Sequence, residues 1–335
     1  MGVLPITHRQ RLENCLSGAP LDRVPVALWR HFPVDDQRPD RLAQATAWFQ
    51  RQFDFDLIKI SPSSSFCLSD WGVSDVWTGN PEGSREYNGS IIHQPEDWAR
   101  LPLLDPRQGA LGAQLDCVRL IQKVFSPHTP IIQTVFNPLA QAKNLMGREG
   151  LINEIRNHPQ EIKAGLEIIT QTTLRFIEAL VEMKIDGVFY AVQHAQSGLL
   201  SNFEFEEFSL PYDLRILEAA RPLWLNMAHI HGKKILFDTL AKYPVQILNW
   251  HDRETFPSLP EGQRRFNGVV CGGLRQWDTL VLGTPEQVTA EGLDALESTG
   301  GKRFILGTGC VTPVTAPYGN LLAARQVIEP SFTGA

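Results

Sequence analysis

Eight short apolar runs, spaced by polar loops and amphipathic stretches, recur along this chain of 335 residues and restrict its fold more than any other feature. They lie at 24–29, 57–61, 130–136, 187–192, 223–231, 245–250, 268–272 and 303–306. Apolar positions near a 3.6-residue spacing mark a helix over 160–183, and helices are expected also over 41–53, 205–220 and 285–298. Eight strands alternating with helices over this length form the pattern of an α/β protein of the (β/α)8, or TIM barrel, type. The main competitor is a doubly wound parallel sheet, but no G-x-G-x-x-G turn opens a βα unit here. No low-complexity tract or Gly/Ser/Pro linker divides the sequence, so residues 1–335 are expected to form one barrel domain. Apolar residues make up 43% of the chain, enough to bury the core that such a barrel needs.

Charge and cysteine usage narrow the function. A net charge of −6 argues against nucleic acid or an anionic membrane as the main partner. The basic pairs Lys233-Lys234 and Arg264-Arg265 read as solvated loop charges. No stretch approaches the roughly 20 apolar residues of a spanning helix, and residues 1–11 lack the apolar core of a signal peptide. Five cysteines, an odd number without a C-x-x-C pair, do not suggest a disulfide framework. The expected setting is the cytoplasm, with reduced thiols.

In a barrel the chemistry belongs at the C-terminal strand ends. Five of the nine histidines fall there: His31 after strand one, His194 after strand four, His229 and His231 on strand five, and His251 after strand six. Strand alternation sends His229 and His231 to one face. Strand eight runs through Gly307-Thr308-Gly309 into Cys310. Two imidazoles and one thiolate would make a three-ligand zinc site with an open position, the catalytic rather than the structural type. A single strand-end histidine is more often hydrogen-bonded scaffold than ligand, and a lone buried cysteine is usually a small apolar filler. The convergence of the pair with Cys310 is what argues for a site. His31, His194 and His251 are then candidates for proton transfer or substrate orientation. Arg30 is a candidate anion clamp, since a guanidinium holds a carboxylate bidentately, although an ion pair at the barrel rim would serve equally. His8, His93, His128 and His158 read as surface or loop residues, and Cys15, Cys67, Cys117 and Cys271 as filler.

These segments resemble the uroporphyrinogen decarboxylase superfamily, which holds heme-pathway decarboxylases and zinc-dependent, corrinoid-linked methyltransferases. RQRLENCLSGAPLDRVPV at 9–26 is similar to the family's first helix and its R-G-x-P-x-D-R-x-P-V start. SGLLS at 197–201 with FSLPY at 208–212 resembles A-G-x-L-S … F-x-L-P-Y, and GGLR at 272–275 with LGTPE at 282–286 resembles G-N-L-D … L-x-G-T-P-E. The resemblance spans the whole chain in order. It implies a single distorted (β/α)8 barrel, commonly a homodimer.

The resemblance also separates two branches. Decarboxylases of the family use an N-terminal R-Q-A-G-R segment whose arginines hold propionates; here Arg30 stands alone of the two. The family's aspartate after strand two falls near Ser61-Pro62-Ser63, its substrate-binding tyrosine aligns with Asn144, and its C-terminal G-H-G is Gly307-Thr308-Gly309. Asn144 is therefore carried as a substrate-binding candidate. In the methyltransferase branch zinc sits on H-x-C-G at the end of strand five and on a cysteine after strand eight. His229-Ile230-His231-Gly232 and Cys310 match that pattern, with His231 in place of the first cysteine. The resemblance thus implies a zinc-dependent methyltransferase. It would act on a corrinoid, free or carried by a protein, or on a small methylated substrate. Alternatives are a divergent, metal-free decarboxylase of a tetrapyrrole or other carboxylate with Arg30 as clamp, and a non-catalytic corrinoid- or tetrapyrrole-binding protein.

Overall fold

Alternation along the strands sorts the buried side chains into two shells. The computed structural model describes residues 6–329, except for the side chains of 148 and 149. Its parallel strands are β1 (Val26–Ala27), β2 (Ile58–Ile60), β3 (Ile131–Phe136), β4 (Gly187–Val192), β5 (Met227–Ile230), β6 (Ile247–Trp250), β7 (Val269–Leu274) and β8 (Phe304–Thr308). Inward positions, among them Ala27, Leu57, Ile132, Phe189, Met227, Ile247 and Ile305, form a core inside the barrel. Their neighbours Val26, Ile58, Val188, Ala228, Leu248 and Phe304 face the other way and pack under the helices. This in-out sorting is what makes a barrel interior a packed core with functional groups only at its upper layer.

The strand order is β1-β8-β7-β6-β5-β4-β3-β2, every neighbouring pair parallel. No ladder joins β1 to β2. At that seam the Asp56 amide donates to the Val26 carbonyl at 2.8 Å, and the Asp56 carboxylate accepts the Val26 amide at 2.8 Å. A side chain thus replaces one ladder bond, which explains why β1 has two residues where six were expected. Likewise β5 begins at Met227 rather than 223, because the side chain of Asn226 takes over backbone pairing with Val188, Ala220 and Leu223.

Helices α1 (His8–Ser17), α2 (Pro39–Phe53), α3 (Gly109–Phe125), α4 (Pro138–Met146), α5 (Arg148–Asn157) and α6 (Pro159–Glu182) surround the first half. The second half carries α7 (Asn202–Phe208), α8 (Leu210–Ala219), α9 (Phe237–Leu240), α10 (Leu259–Arg265), α11 (Pro285–Thr299) and α12 (Tyr318–Gln326). The helix expected over 205–220 is two helices, α7 and α8. Pro211 cannot donate to the ladder and crowds the preceding turn, so the chain breaks at Ser209. A two-stranded antiparallel ribbon, Asp75–Val76 with Glu86–Tyr87, was not foreseen. Among the described residues no helix is long and apolar enough to cross a membrane.

Helix α1 closes the N-terminal end, where Leu12 and Cys15 join the inner core. Asp56 is fully buried there and meets Arg11 and Arg23 at 2.6 Å and His8 at 2.8 Å. Burial alone would raise its pKa, but the His8 hydrogen bond and the two guanidinium charges hold it well below the usual carboxylate range. His8 is therefore a half-buried clasp between α1 and the strand-two segment rather than a surface residue.

Candidate metal centre

The upper layer of the barrel interior is built by β5 and β6. Their register pairs His229 with Asn249, so the next inward positions, His231 and His251, stand side by side above them. Asn249 is fully buried, and its amide nitrogen donates to the carbonyls of Cys271 and Thr308, both at 2.9 Å. Both donors being used, its oxygen must be the atom 2.7 Å from His229 Nδ1. His229 therefore carries its proton on Nδ1 and donates it to Asn249. Its Nε2, buried and without a partner, presents a lone pair to the pocket. This is the outer-sphere arrangement that fixes a metal-binding imidazole.

Cys310 reaches the same place through a close approach of backbones. A Cβ on Gly309 would lie 2.6 Å from the Cα of His251 and 2.9 Å from the carbonyl of Trp250. Glycine alone lets the chain after β8 press onto the end of β6, and the thiol then sits 4.0 Å from His231 Nδ1. The ring centroids of His229, His231 and His251 are 5.5–6.0 Å apart. One donor atom from each of His229, His231, His251 and Cys310 lies within 4.8 Å of the other three.

The charge state suits a cation. Burial pushes the pKa of His229 far down, helped by His231 and His251; burial lowers His231 and brings His251 to about 4. All three imidazoles are neutral near pH 7 and can donate lone pairs. Burial pushes the Cys310 thiol up to about 12, so the thiol keeps its proton until a cation displaces it. His251 Nε2, like His229 Nε2, is buried without a partner. Three imidazoles and a thiol are the donor types that zinc selects, and the orphaned nitrogens give such an ion a place to bind.

The structure brings together His229, His231 and Cys310 as the sequence led us to expect, and adds His251, which was placed outside the ligand set. The other candidates stand apart from this cluster. His31, after β1, has a buried Nδ1 without a partner, and burial, with Lys59 nearby, lowers its pKa to about 3. Arg30 lies half-buried against the rings of Phe32 and Phe49; one NH donates to the Val314 carbonyl at 3.4 Å, while its Nε has no partner. His194 is buried at the end of β4 with a left-handed φ of 68°. Asn144, on α4, donates to the Tyr87 hydroxyl at 3.0 Å.

Two residues escaped the sequence reading. One is Asn249, whose only signal was its place two residues before His251 on a strand. The other is Lys59, an inward lysine in Ile58-Lys59-Ile60, 6% exposed in the barrel interior.

Together the parallel barrel and the imidazole–thiol cluster in its C-terminal mouth define an α/β-barrel protein with a candidate metal centre. Within that class the assignment is specific: the uroporphyrinogen decarboxylase (URO-D) family profile matches residues 7–329, and the chain belongs to that family. It is similar to methylcobamide:CoM methyltransferase MtbA of Methanosarcina acetivorans, at 20% identity over 94% of this chain and 95% of that one. It is also similar to uroporphyrinogen decarboxylase of Anaeromyxobacter dehalogenans, at 27% identity over 92% and 95% of the two chains. Among solved structures, a methyltransferase from Methanosarcina mazei superposes with a TM-score of 0.82 at 19% identity, covering 96% of this chain and 98% of that one. That likeness confirms the barrel fold.

Proposed function

We propose that this protein is a zinc-dependent methyltransferase that moves a methyl group between a corrinoid, free or protein-bound, and a small acceptor or donor. The observation that carries this reading is the four-donor cluster with its two orphaned imidazole nitrogens. The methyltransferases among its relatives support it. His229, His231 and Cys310 hold the zinc, and His251 stands beside it to orient the reacting group. Bound zinc supplies a Lewis acid that lowers the pKa of a coordinated thiol, making the thiolate a nucleophile at neutral pH. Asn249 keeps His229 in the ligating tautomer. Arg30 takes a carboxylate or corrinoid side chain, the imidazoles of His31 and His194 orient it, and Asn144 contributes a polar contact to the substrate. The protein works in the cytoplasm as a homodimer.

The test is methyl transfer itself. Purified, zinc-loaded protein is mixed with methylcobalamin and a thiol, and the corrinoid spectrum is followed. The expected result is thiol-dependent demethylation that falls by at least about tenfold in Cys310→Ala and His231→Ala. A zinc-loaded wild type without demethylation contradicts the reading. The partnerless Nε of Arg30 favours a second reading, a decarboxylase with an anion clamp. Turnover of uroporphyrinogen that survives removal of metal would establish it instead.

A further inference from the structure

A second cavity, of about 280 Å³, lies beyond the C-terminal ends of β1 and β2, among the lead-in to α2, α3 and the antiparallel ribbon. None of its lining residues belongs to the imidazole–thiol cluster. Two carboxylates line it, Asp36 before α2 and Asp75 on the ribbon, with side chains 0% and 5% exposed. One guanidinium serves both: Arg85 donates to Asp36 Oδ1 at 2.6 Å and to Asp75 Oδ1 at 3.3 Å. Gln37 donates to the same Asp36 oxygen at 2.8 Å. Among the described residues, nothing meets the buried Oδ2 of either carboxylate. The Arg85 Nε is partnerless as well, so the guanidinium closes a two-point pair with neither. Arg38, also on the cavity wall, is 62% exposed and pairs with Asp40 at 3.0 Å. Two carboxylates against one guanidinium leave a buried negative charge, and burial is the main cause that raises the pKa of Asp36. Such a charge is costly unless a cation meets it.

A third free acceptor stands apart from the carboxylates. Gln114, on α3, is 5% exposed, lines the cavity and keeps its Oε1 buried without a partner. The hydroxyls of Ser63 and Ser65, 3.2 Å apart and buried, add oxygens to the same wall. The first amides of α3 would repel a cation, but the Asp70 carboxylate takes them, accepting the Ala110 N–H at 2.9 Å. Free acceptors that are all oxygen suit a hard cation or an ammonium, not the nitrogen and sulfur set of the barrel mouth. The cavity is several times the roughly 30 Å³ share of one water, and Phe66, Val73 and Ala113 give it apolar wall. That combination favours a cation with an alkyl body over a bare ion. A primary ammonium carries three N–H donors, one for each orphaned oxygen.

We propose that this cavity binds a compact primary ammonium compound, its nitrogen held by Asp36, Asp75 and Gln114 and its alkyl chain lying against Phe66 and Val73. The bound cation ties the ribbon to α3 and to the lead-in of α2. The site is independent of any metal in the barrel mouth.

Titration of the whole protein with propylammonium, followed by ligand-observed NMR, tests the proposal. The controls are 1-propanol, which lacks the charge, and tetramethylammonium, which has the charge but no N–H. Saturable propylammonium binding, at least about tenfold tighter than either control, is expected from charge-assisted hydrogen bonds. Gln114→Leu should weaken it about fivefold. Ala113→Leu, which fills the cavity without touching the ion pairs, should abolish it and leave zinc content unchanged. Absence of saturable binding would show an internal ion pair only and overturn the proposal. Equal binding of either control, or binding that survives Ala113→Leu, overturns it too, and this last arm decides if Gln114→Leu does not fold. Displacement of propylammonium by equimolar potassium or magnesium chloride would make the cavity a metal-ion site instead.

Discussion

At the scale of single residues, the convergence of His229, His231 and Cys310 was legible because strand alternation is strict: His229 and His231 had to share a face, and a strand-end Cys310 had to meet the same mouth. The roles of His251 and Asn249 were not legible in the same way. Depth in a barrel depends on register between strands, and the pairing of His229 with Asn249 is a tertiary fact. Lys59 was hidden because an isolated lysine normally reads as a solvated charge. The residue with the sharpest consequence is Asn249, which has no lone pair on any metal yet decides which nitrogen of His229 is bare. Replacing it with Leu keeps its bulk and removes that control. Zinc affinity, measured by competition with a chromophoric chelator, should fall about 10- to 100-fold. An unchanged affinity would show that His229 needs no such partner.

At the scale of elements, the sequence located all eight strands, seven of them to within two residues at either end, and overestimated the extent of β1 and β5. Side chains of Asp56 and Asn226 supply hydrogen bonds that the apolar pattern cannot reveal. The helix over 205–220 splits at Ser209 although its apolar periodicity runs on, since Pro211 overrides pattern with sterics. The junction of β6 with the segment after β8 depends on one missing Cβ. Gly309→Ala would force apart the backbones at His251 and Trp250. We expect a loss of about 1–3 kcal/mol in denaturant unfolding, as for other overpacked sites, together with weaker zinc binding as Cys310 moves away. A variant with wild-type stability and wild-type zinc affinity would mean that the close approach does not position the thiol.

At the scale of the whole molecule, the two ends of the barrel differ: the imidazole–thiol cluster sits at the C-terminal mouth, and an ion-pair network seals the N-terminal base. Burial would lower the pKa of His8, but hydrogen bonds to Asp54 and Asp56 outweigh it and raise the pKa to about 8, from about 6.5 when unfolded. The folded state thus holds this proton more tightly. Its stabilisation is complete below pH 6.5 and disappears as pH rises through 8, amounting to about 2 kcal/mol at most. Unfolding free energies at pH 6 and pH 9 should differ by up to that amount more in wild type than in His8→Gln. Equal pH dependence in the two proteins would rule out the clasp. The eightfold pattern of the sequence foretold the barrel, whereas the open seam between β1 and β2 arises only when the chain closes.

The proposed function requires that the mouth of this barrel bind zinc through His229, His231 and Cys310. Elemental analysis of the protein purified with zinc available, beside His231→Ala and Cys310→Ala, measures this. The expected result is close to one zinc per chain in wild type and its loss in both variants, with folding retained by circular dichroism. Wild-type protein with little zinc, or variants that keep it in full, would show that these residues are not a zinc site.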